Sequence, residues 1–453
     1  MNKKIKFSQL LIDIKKLLEI VLPLMGVALS NSLMYFIDRT VLAYYSLDIM
    51  NAVAIVLLIC CIFQLFGMGI VSLSEIAVAK YNGSKKLDKI GEIIWQFIWF
   101  SLLLSIIYIP VGLFTGTVLI PRNFHNAGLD YFRIIMCCNS LPLLIISLSA
   151  FYSGRKKIKI IVIISVIGNI INIILDYVMV FGFLNVVPAM GAFGAAIATI
   201  ISQFLQVVVL FLGFFNRKNY IKFNISKYKF NTLIFKNWFK LGFLNSIGNI
   251  VELSIWFILV HFINSINHIY IMMHSIGCNI MLLFSFVTIA MQRGVTIMSA
   301  NFLGEKKINK IPILLISANF LHCSIMIILL IPSLIFPYQL LKILLSENYF
   351  NVALNPVIFR DMLLWVWIVL LVIGIKYILK GFLYAIKDVR FTTFSNCFCT
   401  IIFTVFPLYI LLYYYEDRVG FNIIWQVIFF SEIVNLIICS FRINTQYRNL
   451  KIQ

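Results

Sequence analysis

Long apolar stretches recur along the whole chain, each broken by a short cluster of Gly, Pro, Asn or charged residues, and this rhythm leaves few folds open. A helix needs about 20 mainly apolar residues to cross a bilayer. Twelve segments qualify: 17–43, 52–79, 93–116, 130–153, 158–182, 191–215, 239–263, 269–297, 312–336, 361–386, 391–415 and 421–441. The chain is 62% hydrophobic and 12% charged over 453 residues, against roughly 45–50% and 25% in soluble domains. An all-α integral membrane protein with twelve transmembrane helices is therefore the expected class.

One twelve-residue phrase occurs twice, as Ala79-Lys-Tyr-Asn-Gly83-Ser-Lys85-Lys86-Leu-Asp-Lys89-Ile90 and Ala300-Asn-Phe-Leu-Gly304-Glu-Lys306-Lys307-Ile-Asn-Lys310-Ile311, with six positions identical at an offset of 221. Each copy joins two apolar stretches. A basic hairpin between membrane helices has been duplicated, and with it half of the protein. A second echo sets Leu148-Ser-Ala-Phe151…Lys156…Lys159 beside Leu379-Lys-Gly-Phe382…Lys387…Arg390 at an offset of 231, which predicts about ten extra residues in the second half, within 337–360. Six helices per half begin and end on the same side. The two six-helix repeats are thus parallel, related by an axis along the membrane normal, with a central cleft between lobes. The expected division is an N-terminal lobe over 1–215, a cytosolic connection over 216–238 and a C-terminal lobe over 239–453.

Net charge is +20, but its distribution argues against nucleic acid as a partner. On alternating sides, the segment 1–16, the connections near 80–92, 154–159, 216–240, 293–310 and 387–390, and the tail from Arg442 hold 29 of the 37 Lys and Arg residues. The other face holds Arg122, Arg133, Lys342, Arg360 and Arg418. This is the positive-inside pattern and predicts both termini in the cytosol. All nine cysteines fall within predicted helices, and no disulfide framework or zinc spacing is implied. The apolar stretch after the basic N-terminus is too long for a cleavable signal and is interrupted by Glu19 and Pro23. No Walker-type loop appears, so ATP is not expected as the energy source. Nor does any nucleophile–base pair or metal cluster suggest an enzyme.

Ionisable groups near a bilayer centre cost roughly 2.5–3.5 kcal/mol each on insertion scales, so each needs a partner, an aqueous cavity or a function. Asp38 lies in the outer part of the first helix. Asn169, Asn172 and Asp176 on the fifth are spaced by three and four residues and share a face. If Asp38 packs against Asp176, the two cannot both ionise cheaply, and one holds a proton unless a cation enters. The bland alternative is that the asparagines glue helices together and Asp176 sits near the outer interface. Glu252 near the middle of the seventh helix is the second-half acid expected to face the cleft, with pairing to an amide such as Asn279 as the alternative. Glu432 and Asn435, three residues apart on the twelfth helix, are placed to satisfy one another, while Glu75 and Glu19 read as interfacial. Lys376 and Lys380 lie one turn apart on the tenth helix, either as a positive patch for an anionic substrate or as partners of Glu252 or Glu432. Arg39 compensates Asp38 or reaches the outer interface.

The run Asn172-Ile-Ile-Leu-Asp176-Tyr-Val-Met-Val-Phe-Gly182…Pro188-Ala-Met-Gly191-Ala-Phe-Gly194-Ala-Ala-Ile-Ala-Thr199-Ile-Ile-Ser-Gln203 resembles the helix 5–6 signature of the multidrug and toxic compound extrusion (MATE) transporters. Leu22-Pro23-Leu24 with Phe36-Ile37-Asp38 resembles that family's first helix, and the duplicated Ala-x-x-x-Gly phrases resemble its 2–3 and 8–9 hairpins. The resemblance implies an H+- or Na+-coupled antiporter of drugs or metabolites in the inner or plasma membrane. It places Asp38, Asn172, Asp176 and Thr199 in a first-lobe cation site, and Glu252 as the second-lobe acid. Two departures stand out: Ile373, with Lys376 and Lys380 close by, falls where members often carry an acid, and Asp38-Arg39 replaces the more usual Asp-Thr. No cofactor is expected beyond the coupling ion, and no metal beyond Na+ at that site. The expected partners are a small-molecule substrate and the lipid bilayer, with the protein acting as a monomer. A flippase for lipid-linked sugars or another anionic amphiphile is the alternative, since buried Lys376 and Lys380, with Arg293, suit pyrophosphate groups.

Overall fold

The computed structural model describes residues 3–183, 186–266, 268–335, 356–415 and 422–452, and among these the chain is helical apart from turns and one isolated bridge between Phe183 and Val187. Twelve helical spans are long and apolar enough to cross a membrane: Ile14–Tyr45, Leu47–Gly83, Asp88–Phe114, Arg122–Ser153, Ile158–Phe181, Ala192–Phe214, Thr232–Ser265, His274–Gly304, Ile308–Ile331, Arg360–Ala385, Val389–Tyr414 and Ile423–Ile452. They correspond one for one to the apolar stretches in the sequence. Helix is the outcome because a single segment in hydrocarbon satisfies its backbone groups only by bonding to itself. The ends extend past the apolar limits where polar residues continue a helix: the first begins at Lys3 and the last runs to Ile452. The insertion expected within 337–360 falls largely outside the described residues, as do Lys342 and Arg418.

Three spans are interrupted. The second breaks at Ser72, between Leu47–Val71 and Leu73–Gly83. The fourth breaks between Cys137 and Leu141, just ahead of Pro142, whose ring supplies no N–H and is tolerated only in a first turn. The eleventh contains a π-helical turn, Ile401–Val405, between Val389–Thr400 and Phe406–Tyr415.

The two sequence echoes are also backbone echoes. Lys85 and Lys306 adopt φ of 58° and 57°, and Lys156 and Lys387 adopt 63° and 67°. Each is a left-handed residue closing a helix, a conformation that costs a non-glycine residue roughly 1–2 kcal/mol. The neighbouring amides complete the caps, with Lys86 N donating to Tyr81 O at 3.0 Å, Lys157 N to Tyr152 O at 2.9 Å and Asp388 N to Leu383 O at 2.9 Å. Both halves therefore use the same strained turn at the two matched places.

Two compact units emerge, one of Gly26–Ile250 with Ala300–Lys306, the other of Met1–Met25, Val251–Ser299 and Lys307–Gln453. Within the first unit, the segment from the second hairpin docks on the first. Asn82 Nδ2 donates to Asn301 Oδ1 at 2.8 Å, and Asn301 Nδ2 donates to Gly154 O at 3.1 Å. A Cβ on Gly83 would overlap the Asn301 carbonyl, and one on Gly304 the Lys80 carbonyl, so this backbone approach requires glycine. The connection after the sixth span is strapped to the third in the same unit: Trp95 Nε1 donates to Ile225 O at 2.9 Å and Trp99 Nε1 to Tyr228 O at 2.7 Å. The other unit is built around a core that includes Trp367, Trp425 and Met362.

Gly83→Leu is expected to lower the thermal midpoint of the purified protein, at a cost of about 1–3 kcal/mol for forced overpacking. Gly26→Ala is the control and should be neutral or slightly stabilising, because its Cβ would meet only Val162 Cγ1 at 3.8 Å.

Candidate functional site

The fifth span brings Asn169, Asn172 and Asp176 to one face, and all three are buried, at 4%, 0% and 1% exposure. Asn169 is committed to the first span. Its Nδ2 donates to Ser30 Oγ at 2.8 Å and to Asn31 Oδ1 at 3.0 Å, and Ser165 Oγ donates to the same Asn31 oxygen at 3.2 Å. Asp38 follows Asn31 by seven residues and Asp176 follows Asn169 by seven, two helical turns or about 10.5 Å of rise in each case. The clamp thus sets the register of two spans running in the same direction and delivers both carboxyls to one level. There the two acids lie within hydrogen-bonding reach of each other.

Both oxygens of Asp176, Oδ1 of Asp38 and both polar side-chain atoms of Asn172 are buried without a hydrogen-bond partner among the described residues. Each such atom costs about 1–3 kcal/mol, and like charges at close range in a protein of effective dielectric about 20 repel by several kcal/mol. Arg39 beside Asp38 is exposed. Thr199 is half-buried on the sixth span, and its hydroxyl donates to Ala195 O at 3.0 Å, which leaves the oxygen's lone pairs for a ligand. The role of glue therefore falls to Asn169, while Asn172 and Asp176 stay unspent. Tyr35 and Tyr131 stand within electrostatic range of the acids, and the sequence reading missed both. Tyr35 precedes Asp38 by three residues, a spacing that carried a signal. Tyr131, on the fourth span, had none, since only tertiary packing brings it there.

In the other unit the acids and lysines form a separate centre. Lys376 Nζ makes an ion pair with Glu432 and lies 3.4 Å from Asn396 Oδ1, and Lys380 Nζ donates to the same amide oxygen at 2.6 Å. Asn435 Nδ2 donates there too, at 3.0 Å. The expected mutual satisfaction of Glu432 and Asn435 is thus not what forms: the ammonium is the stronger partner for a buried carboxylate, and the amide turns to Asn396. Glu252 is half-buried within electrostatic range of Lys380 and Tyr377, while Asn279 is exposed. Glu75, on the helix Leu73–Gly83 of the first unit, is buried. Asn169→Ala is expected to destabilise the protein by about 1–3 kcal/mol, since it removes two hydrogen bonds, while Asn31 Oδ1 keeps the one from Ser165. A lowered thermal midpoint is the measurement.

The MatE family model matches residues 23–178 and 246–410, two stretches whose offset lies close to that of the sequence echoes. A probable multidrug resistance protein NorM of Buchnera aphidicola subsp. Baizongia pistaciae is 24% identical over 347 residues, covering 73% of this chain and 76% of that protein. Among solved structures, a MATE protein in complex with MaL6 superposes with a TM-score of 0.86 at 15% identity, over 97% of this chain and 98% of that one. The outward-facing form of a multidrug resistance MATE family transporter of the MOP superfamily gives 0.84 at 15% identity, over 97% of each chain. At such identities the structures establish a shared fold. The doubled family match establishes the relationship: this chain belongs to the MATE family, a class of membrane transporters rather than enzymes.

Proposed function

We propose that the protein is a secondary active exporter that moves small organic molecules outward across the cytoplasmic membrane in exchange for H+ or Na+, by alternating access. The observation that carries this reading is the contact of Asp38 with Asp176 amid buried atoms that lack donors. Left ionised, the two carboxylates repel each other. One shared proton relieves the repulsion and supplies the missing donor. Na+ would relieve it through the same oxygens, with Asn172 Oδ1 and Thr199 Oγ1 as further ligands. A bound ion shifts a conformational equilibrium only by its differential affinity for the two states, and this pair gives that difference a physical source. A state that holds the carboxyls together takes up the ion; a state that parts them or opens them to water releases it.

The two compact units supply the moving bodies; they differ from the lobes expected over 1–215 and 239–453 in that Met1–Met25 groups with the second half, and 216–250 and Ala300–Lys306 with the first. Both termini lie in the cytosol, and a single copy is sufficient for a cycle. The NorM relatives' name, multidrug resistance protein, supports drug-like organic substrates. A flippase for an anionic amphiphile has less support, because the charge of Lys376 is already spent on Glu432.

Proteoliposomes with separately imposed Na+ and H+ gradients test the proposal, using cationic and anionic fluorescent substrates. Ion-driven efflux is expected with one of the two gradients, and Asp38→Asn and Asp176→Asn should each reduce it to background. The same variants should keep or raise the thermal midpoint, since each removes a repulsive charge. Undiminished exchange in either variant would overturn the mechanism.

A further inference from the structure

We propose that the ammonium of Lys376 is a tethered cation. It fills an oxygen cluster in the second-half unit that would otherwise require a soluble ion, so that this unit is ion-independent. The corollary, that coupling falls wholly on Asp38 and Asp176, rests on the function proposed above; the tethered cation itself does not.

Lys376 lies in the tenth span, Arg360–Ala385, and is 3% exposed. It stands eleven residues before Lys387, about 16 Å by helical rise, too far for its side chain to snorkel to that end. A buried ammonium at such a depth is tolerated only with acceptors around it, and two further spans provide them: Glu432 from the twelfth by ion pair, and Asn396 from the eleventh at 3.4 Å. Carboxylate and amide oxygens converging from separate helices are the donor set that holds an alkali ion in a membrane protein. Here the cation arrives on the chain.

Donor and acceptor counts separate the two units. At Asp38–Asp176, five buried polar atoms, three of them carboxylate oxygens, lack partners. Around Asn396 the imbalance is reversed: its Oδ1 takes Lys376, Lys380 at 2.6 Å and Asn435 at 3.0 Å, three donors on an oxygen with two lone pairs. Glu432 Oε2 in turn takes the Lys376 ammonium as its ion-pair partner. Charge closes as well, since Lys376 and Lys380 face Glu432 and Glu252. A second irregularity coincides with this place. The π-helical turn Ile401–Val405 follows the helix bearing Asn396, and Ser431, next to Glu432, donates to Cys399 O at 3.1 Å. Such turns within membrane helices are frequent at functional sites, and this one ties the eleventh span to the twelfth beside the ion pair.

The test measures thermal unfolding of detergent-purified protein in NaCl against N-methyl-D-glucamine chloride. An Asp38→Asn, Asp176→Asn background removes both carboxylates of the first unit and with them its response. In that background the midpoint should not depend on Na+. Adding Lys376→Ala should lower the midpoint in the organic salt and make it recover with Na+ by about 3 °C or more, because Glu432 and Asn396 then face a soluble ion. Lys376→Met with Glu432→Gln should abolish that response, since the carboxylate that pairs with Lys376 is then gone. If Lys376→Ala cannot be recovered, Lys376→Gln serves in its place, keeping a hydrogen bond without the charge. A Na+ response with Lys376 intact, or none after its removal, overturns the proposal. Loss of the coupling role of Asp38 would instead show in the exchange assay and leave these midpoints unchanged.

Discussion

The bonds from Asn169 to Ser30 and Asn31 are the contact on which the first unit's chemistry depends. Asn169 is itself buried, and a hydrogen bond of fixed geometry sets helix register more firmly than apolar packing, which tolerates sliding. Two turns beyond that clamp the chain places two acids together and gives them no donor. Clamp and acids lie on the same two helices at the same spacing. Stability spent at one level thus holds an unfavourable arrangement at the next, the usual relation between a rigid support and a strained site.

The second unit solves a similar electrostatic problem differently. Both halves descend from one unit, as the matched left-handed lysines and the doubled family match indicate. Their buried polar chemistry has nevertheless diverged, with two acids brought together in one and two lysines converging on a shared amide oxygen in the other. Duplication copies backbone and leaves side chains free to change. The capping turns have kept their conformation because a helix in that position still needs an end, whereas the helix interiors now carry acids in one unit and lysine–glutamate pairs in the other.

Much of the fold was legible because hydropathy over some 20 residues depends only on local sequence. The twelve spans, the basic hairpins and the i, i+3, i+4 face of Asn169, Asn172 and Asp176 all follow from that local order. What escaped were choices among competing partners. Glu432 and Asn435 have a spacing that permits mutual bonding, yet Lys376 from another helix outbids the amide. Tyr131 carries no pattern linking it to Asp38 at all.

Sequence alone determined that this chain spans a membrane twelve times, that its halves are copies, and that a few expensive polar residues stand where lipid would penalise them. Each of those facts follows from the cost of placing a given residue in hydrocarbon, which the residue and its near neighbours set between them. Only the tertiary structure decided which polar residues meet: that Asn169 serves as clamp, that Asp38 reaches Asp176, and that Lys376 is neutralised by Glu432. Those pairings depend on the rotation and axial offset of whole helices against one another, quantities fixed by packing over many residues and encoded at no single position.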